Sequence, residues 1–230
     1  MVLNLKILNM INVIGFMQGR LSPIIEGKIQ AFPSVFWEQE FEIAEKLKFN
    51  LMEWTLDHNN LYENPLLTPD GRDKVLMLMK KHSIKIMSIT GDCFMQRPFW
   101  KESKDSSAFE ILKGDFLKIV DACSKTKINF IVVPLVDNSS IRRLNQETCV
   151  IDFFLNHSDF LLKKNVKIIF ESDYSPKKLS EFISKFDEDL FGINYDIGNS
   201  ASLGYDPKEE FGEYGNRIMN VHVKDRKFNG

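Results

Sequence analysis

Three short segments in the second half of the chain follow one pattern. Each is an apolar run rich in Val and Ile that leads into residues able to bind a metal: VKIIFESD (166–173), GINYDIGN (192–199) and IMNVHVKDR (218–226). Such runs are typical of buried parallel strands, so Glu171, Asp196 and His222 are expected where three strands end. Because the carboxyl ends of neighbouring strands meet at one mouth in a parallel barrel, the pattern predicts a shared site.

The spacing of these residues supports the same interpretation. Glu171 and Asp196 are 25 residues apart, and Asp196 and His222 are 26 apart. That is about the length of one strand, one crossover helix and two loops. Two carboxylates and an imidazole are hard oxygen and nitrogen donors, suited to Mn²⁺, Mg²⁺, Co²⁺ or Zn²⁺. The segments therefore predict a divalent metal site and leave the identity of the ion open.

Strand and helix patterns alternate along the rest of the chain. The expected strands are 11–17, 50–56, 84–89, 129–135, 166–171, 192–196 and 218–222, and the expected helices are 36–49, 70–83, 107–125, 145–164, 179–186 and 207–214. This alternation predicts an α/β fold, and seven near-regular units favour an incomplete (β/α)8-type TIM barrel over a doubly wound sheet. The segment GFMQGRL after the first strand lacks the dinucleotide fingerprint, which disfavours a Rossmann domain.

The length and charge of the chain restrict its partners. A chain of 230 residues fits a single barrel domain spanning 1–230, in which residues 1–9 before Met10 are an expected extension. The net charge of −2 provides no basic field for nucleic acid or an anionic membrane, so a small molecule is the expected partner. Polar residues interrupt the apolar N-terminal stretch, which argues against a signal peptide or a membrane span.

The cysteines indicate the compartment. Cys93, Cys123 and Cys149 lie in unrelated contexts and form no CxxC pair, which argues against a disulfide framework and against a thiolate zinc site. A reducing, cytoplasmic location is the expectation. Cys93 is expected to be an inert, partly buried thiol.

Several other polar residues leave two interpretations open. Glu53, Asp92 and Asp137 lie near other strand ends, where they can support a site or simply cap a helix or turn. The aromatic segment CFMQRPFWKES (93–103) can close over a substrate or pack against a neighbouring loop. The remaining histidines are expected to be exposed or at helix ends: His58, His82 and His157.

Longer motifs resemble those of the sugar phosphate isomerase/epimerase family with the xylose isomerase-like TIM barrel. The similar segments cover nearly the whole chain: IGFMQGRLSP, IQAFP, WEQEFEIAEKL, MEWTLD, GDCFM, VVPLVDNSS, FESD, NYDIGNSASLGYDPKEE and VHVKDR. The most specific feature is NYDIGNSASLGYDP followed by HVKDR.

The resemblance implies a divalent metal held by Glu on strand five, Asp on strand six, His on strand seven and a second Glu on strand eight. Glu171, Asp196 and His222 match the first three. The fourth has no counterpart before the sequence ends, so an eighth unit is expected to be missing. Strands one and seven would then be unpaired edges, which favours a homo-oligomer or a rearranged edge.

The resemblance also implies a chemistry. The metal would polarise the carbonyl of a sugar or sugar phosphate, and Glu171 would move a proton through an enediolate. Lys224 and Arg226 would bind an oxyanion or a phosphate, although Lys224 can instead pair with Glu171 or Asp196. Asn199 can bind a sugar hydroxyl or cap the following turn.

Three functions follow from these residues. The first is a metal-dependent sugar isomerase or epimerase, and the second is a polyol dehydratase of the inosose type that uses the same groups. The third is a truncated barrel that binds metal or sugar with little or no catalysis. A zinc endonuclease acting at abasic DNA is disfavoured, because four histidines and a net charge of −2 supply neither its ligands nor a basic face.

Overall fold

The computed structural model describes residues 14–25, 27 and 30–228. Its seven strands form one parallel sheet in chain order. They are β1 (Gly15–Met17), β2 (Leu51–Thr55), β3 (Lys85–Thr90), β4 (Phe130–Leu135), β5 (Lys167–Ser172), β6 (Phe191–Asp196) and β7 (Ile218–His222). The predicted α/β barrel architecture with seven units is confirmed. Predicted strand residues 11–13 and the proposed extension 1–9 lie outside the described residues.

Helices connect successive strands. They are α1 (Trp37–Lys46), α2 (Pro69–His82), α3 (Asp92–Gln96), α4 (Ser107–Thr126), α5 (Leu144–Asn156), α6 (Ser158–Lys164), α7 (Pro176–Ile183), α8 (Ile197–Leu203) and α9 (Pro207–Tyr214). Short 3₁₀ turns occur at Leu61–Glu63, Pro65–Leu67, Phe99–Lys101, Asp137–Ser139 and Gly215–Arg217. None of the helices in the described part of the chain has the length and apolar composition needed to cross a bilayer.

Two helix predictions are wrong in their bounds. The expected helix 145–164 is two helices, because the backbone of His157 leaves the helical region at ψ 7°. The His157 ring contacts the Phe153 carbonyl and the Ser158 hydroxyl donates to the Phe154 carbonyl, so side chains compete for the acceptors of the helix. The expected helix 179–186 begins earlier, at Pro176, whose fixed φ suits a first helical turn.

The aromatic segment 93–103 packs into the core. Phe94, Phe99 and Trp100 are 5%, 1% and 3% exposed. The Trp100 indole donates to the carbonyl of Ser139 at 3.0 Å, so its polar atom is also satisfied inside the protein. The interpretation of this segment as a lid is therefore wrong.

The two faces of the sheet differ in chemistry. Outward side chains pack against the helices in an aromatic cluster around Phe170, whose ring lies 5.2 Å from Phe182 and 5.3 Å from Phe154. Residues next to the outward ones point inward, because side chains alternate along a strand. The inward face is polar near the carboxyl ends of the strands, and that is where the candidate site lies.

Candidate functional site

A layer of polar side chains crosses the inside of the curled sheet. The Ser88 hydroxyl donates to Glu53 Oε2 at 2.6 Å, and the Asn220 amide donates to Asn194 Oδ1 at 2.8 Å and to Glu53 Oε2 at 3.3 Å. These residues belong to β2, β3, β6 and β7. The contacts between β2 and β7 require the sheet to curl until its second and seventh strands face each other.

The three residues predicted from the strand ends meet above this layer. Glu171 is the penultimate residue of β5, Asp196 ends β6 and His222 ends β7. His222 Nδ1 lies 3.3 Å from Glu171 Oε2 and 3.8 Å from Asp196 Oδ2. One ligand atom from each residue lies within 4.8 Å of the other two. The structure thus brings the predicted set together.

Glu53 is a third acidic residue at this site, beside Glu171 and Asp196. Its Oε1 lies 2.9 Å from His222 Nε2, so the imidazole sits between Glu53 on one side and Glu171 on the other. Burial disfavours the charged imidazole, but the charge of Glu53 and hydrogen bonds to Glu171 and Glu53 outweigh it and raise the pKa of His222 to about 11. Burial likewise opposes ionisation of Glu53, yet His222 holds the pKa of Glu53 below its usual value. The carboxylates around His222 therefore favour a positive charge at this site.

Two amides hold the Glu171 carboxylate. Asn194 donates to Oε2 at 2.7 Å and Asn199 donates to Oε1 at 2.6 Å. Arg226 in turn donates to the Asn199 side-chain oxygen at 2.6 Å. Asn199 is thus a bridge between Glu171 and Arg226, which neither of its two predicted roles described. The carboxylate orientation is fixed on both oxygens.

The two carboxylate oxygens of Asp196 make different contacts. Oδ1 accepts from the backbone N–H of Asn199 at 2.8 Å and so caps the start of α8. Oδ2 lies 2.7 Å from Lys224 Nζ. The ion pair considered for Lys224 is therefore present, on a side chain that is 41% exposed.

A family model described as xylose isomerase-like TIM barrel matches residues 41–230. The chain belongs to the xylose isomerase-like TIM barrel family. No curated protein sequence matches it significantly.

Several solved structures share the fold of this chain. D-psicose 3-epimerase from Clostridium cellulolyticum H10, solved with D-tagatose, has 12% identity and a TM-score of 0.69 over 91% of this chain and 72% of that chain. The IolI protein with a bound zinc atom has 15% identity and a TM-score of 0.67 over 91% and 72%. A xylose isomerase-like TIM barrel protein from Mycobacterium smegmatis in complex with magnesium has 14% identity and a TM-score of 0.64 over 92% and 74%. At these identities the likeness is one of fold.

Other polar residues of this xylose isomerase-like barrel lie away from the three strand ends. Asp137 is exposed on its 3₁₀ turn. The His82 imidazole contacts Glu45 at 2.7 Å, and His157 lies at the break between α5 and α6. His58 is partly buried in the loop after β2. His82 and His157 thus lie at helix ends as expected, whereas His58 is partly buried and not fully exposed.

Asp92 follows β3 and is 3% exposed. It accepts hydrogen bonds from Gln30 at 2.7 Å and Thr90 at 3.1 Å. Burial is the main reason that the pKa of Asp92 rises to about 7, and the negative charges of Asp57 and Glu171 add to it. Gln30 belongs to the loop after β1, so Asp92 ties that loop to the mouth of the barrel.

The raised pKa of Asp92 predicts a pH-dependent stability. Because its pKa is about 7, Asp92 keeps its proton in the folded state up to about pH 7, whereas an unfolded Asp releases it near its ordinary pKa of 3.8. The contribution of Asp92 to the free energy of unfolding should therefore fall as the pH rises from about 4 to 7. Relative to the wild type, Asp92→Asn should gain a few kcal/mol of stability between pH 4 and pH 8 (order of magnitude).

Urea unfolding of both proteins at several pH values measures this difference. Asp73→Asn on the exposed side of α2 is the matched control, and its difference from wild type should not vary with pH in this range. A wild-type minus Asp92→Asn difference that is constant from pH 4 to pH 8 would contradict the prediction.

Proposed function

We propose that the protein is a metal-dependent isomerase or epimerase that acts on a sugar or sugar phosphate. The observation that supports this most directly is the meeting of Glu171, Asp196 and His222, with one ligand atom each within 4.8 Å. Membership of the xylose isomerase-like family and the likeness to a sugar epimerase also support it. The metal-bound neighbours, one with zinc and one with magnesium, support a divalent ion.

The donor set fits such an ion. Two carboxylates and an imidazole are hard donors that suit Mn²⁺, Mg²⁺, Co²⁺ or Zn²⁺. Three carboxylates surround one imidazole, and Lys224 is paired with only one of them. This excess of negative charge favours a cation. In this proposal Glu171, Asp196 and His222 hold the ion, which would polarise the carbonyl of the substrate.

The acid–base work falls to Glu171. Two amide donors hold its carboxylate in a fixed orientation, from which it would accept a proton from the carbon next to the carbonyl. Positioned acid–base groups contribute about 10² to 10⁴ to the rate. Arg226, fixed through Asn199 beside Glu171, would stabilise the negative charge that develops on the substrate oxygen. Lys224 would bind a substrate oxygen or phosphate.

Glu53 is proposed as a positioning residue. Its carboxylate faces Nε2 of His222, which leaves Nδ1 directed at Glu171 and Asp196. A carboxylate on the far nitrogen of a ligating His fixes both the tautomer and the ring orientation. Ser88 and Asn220 hold Glu53 Oε2 and leave Oε1 for the imidazole.

Changing Glu171→Gln should reduce isomerase turnover at least about 100-fold, because the amide keeps the size of the side chain but cannot accept the proton. The assay incubates metal-loaded protein with ketoses, ketose phosphates and inososes in D₂O and identifies products by NMR. Deuterium next to the carbonyl marks proton transfer, whereas loss of water marks the dehydratase. Glu181→Gln, on an exposed position of α7, is the control. Wild-type turnover in Glu171→Gln would rule out its acid–base role.

Changing His222→Ala should weaken binding of Mn²⁺ or Zn²⁺ at least tenfold, because one of the three donors is lost. Isothermal titration and elemental analysis of the dialysed protein measure the effect. His58→Ala removes an imidazole from a loop outside the donor set and should leave the affinity unchanged. Equal metal content in His222→Ala and wild type would show that His222 is not a ligand.

Changing Glu53→Gln should weaken metal binding about 10- to 100-fold without removing any ligand. The ¹⁵N chemical shifts of the His222 ring should also change, because the variant removes the charge that orients it. Glu45→Gln alters the other Glu–His pair, at His82, and is the matched control. If the ring shifts and the metal affinity of Glu53→Gln equal those of wild type, Glu53 does not position His222.

A further inference from the structure

A cleft of about 410 Å³ lies at the mouth of the barrel, away from the three strand ends. It opens between the loop after β1 and the loop after β2. Its lining includes two aromatic rings, two carboxylates and two amides, from Phe32, Trp37, Asp57, Glu63, Asn59 and Gln96.

The cleft lies at the carboxyl end of β2, where its Trp37 packs on Trp54, a residue of the outward face, and its Asp57 continues the inward side of the strand. Side chains alternate along a strand, so Glu53, Thr55 and Asp57 share one face of β2 and its extension. Pairing continues past the end of β2, because the Leu56 N–H donates to the Thr90 carbonyl at 3.1 Å. A rise of about 3.3 Å per residue puts Asp57 roughly 13 Å from Glu53 along the strand. Glu53 contacts His222, so the cleft begins more than one sugar ring from the metal site.

The polar groups of the cleft are held without a cation. Asp57 Oδ2 accepts from the Phe32 N–H at 2.7 Å, and Oδ1 accepts from the Gln96 amide at 2.6 Å. None of the described residues that line the cleft is Lys, Arg or His. A phosphate there would face the carboxylates of Asp57 and Glu63 without a cationic partner among the described lining residues.

The lining suits an uncharged carbohydrate. Carboxylates and amides accept hydrogen bonds from hydroxyl groups. The half-buried ring of Phe32 offers apolar surface for the C–H face of a sugar, whereas Trp37, at 8% exposure, adds little. Trp37 is anchored by an edge contact to Trp54 at 5.7 Å.

We propose that this cleft binds a second, uncharged sugar ring. The substrate of the metal site would then be a neutral glycoside or disaccharide, with its reacting ring at Glu171, Asp196 and His222. The identity of the reacting ring rests on the proposed function, whereas binding of a neutral ring in the cleft does not. Because the described lining residues supply two carboxylates and no Lys, Arg or His, a phosphorylated sugar is expected to bind more weakly than a neutral one.

The test is direct binding of sugar probes to the full chain. Cellobiose, maltose, sucrose and trehalose are the neutral probes, and glucose 6-phosphate and fructose 6-phosphate are the charged ones. Saturation-transfer NMR and tryptophan fluorescence give the dissociation constants. We expect at least one neutral disaccharide to bind more tightly than either phosphate.

Two variants locate the bound probe. Glu63→Arg reverses a charge at the cleft and Asn59→Trp fills it, and each should weaken disaccharide binding at least tenfold. Both positions are exposed, so the fold should tolerate the changes. Glu188→Arg makes the same charge change on the exposed turn before β6, at the opposite end of the sheet, and should leave binding within twofold of wild type.

The outcomes separate this proposal from the proposed function. The cleft proposal is overturned if no neutral disaccharide binds, if a sugar phosphate binds more tightly, or if both cleft variants bind like wild type. Disaccharide binding that is lost in the cleft variants but retained in Glu171→Gln supports the cleft even if no isomerase turnover is found. Turnover on monosaccharides alone, without disaccharide binding, supports the proposed function of the metal site and contradicts the proposal that the cleft binds a second sugar ring.

Discussion

The contact between Glu53 on β2 and His222 on β7 is the interaction on which the mouth of the barrel depends. In the described residues each strand forms backbone hydrogen bonds only with its neighbours in chain order. Contacts between β2 and β7 are therefore made by side chains inside the curled sheet. Glu53 is 8% exposed, and a buried carboxylate is costly unless it is paired and hydrogen-bonded. Ser88 and Asn220 donate to its Oε2, and the His222 imidazole lies 2.9 Å from its Oε1. The contact with His222 that compensates the buried charge of Glu53 also orients the His222 imidazole.

This arrangement explains why a polar interior is compatible with a stable fold. The apolar core lies outside the sheet, where the aromatic cluster around Phe170 packs against α5 and α7. The inner face near the carboxyl ends is free to carry carboxylates and amides that bond to one another. Stability and chemistry therefore depend on opposite faces of the same strands, as alternation along each strand permits.

The strand ends were predictable from the sequence because an apolar run that stops at a polar residue marks both a strand and its terminus. Glu171, Asp196 and His222 were identified in this way, and their proximity follows from parallel pairing. The role of Glu53 stayed open, because it depends on how far the sheet curls. That curl is a property of the whole sheet and not of the segment around residue 53.

Other features depended on interactions that periodicity does not report. The break at His157 arises from side chains that compete for backbone acceptors. Helix α8 is only seven residues long and rich in Gly, Asn and Ser, so its formation depends on the Asp196 cap more than on helix propensity. The burial of Phe99 and Trp100 results from packing against α5 and the turn at Ser139, both distant in sequence.

Asp196 links the first turn of α8 to the candidate metal site through a single carboxylate. Oδ1 accepts from the backbone N–H of Asn199, and Oδ2 lies 2.7 Å from Lys224 Nζ. Any movement of α8 would also move Asn199, which holds Glu171 on the neighbouring strand. The position of α8 is therefore coupled to both carboxylates. A substitution that displaces the helix would also displace Asp196 and Glu171.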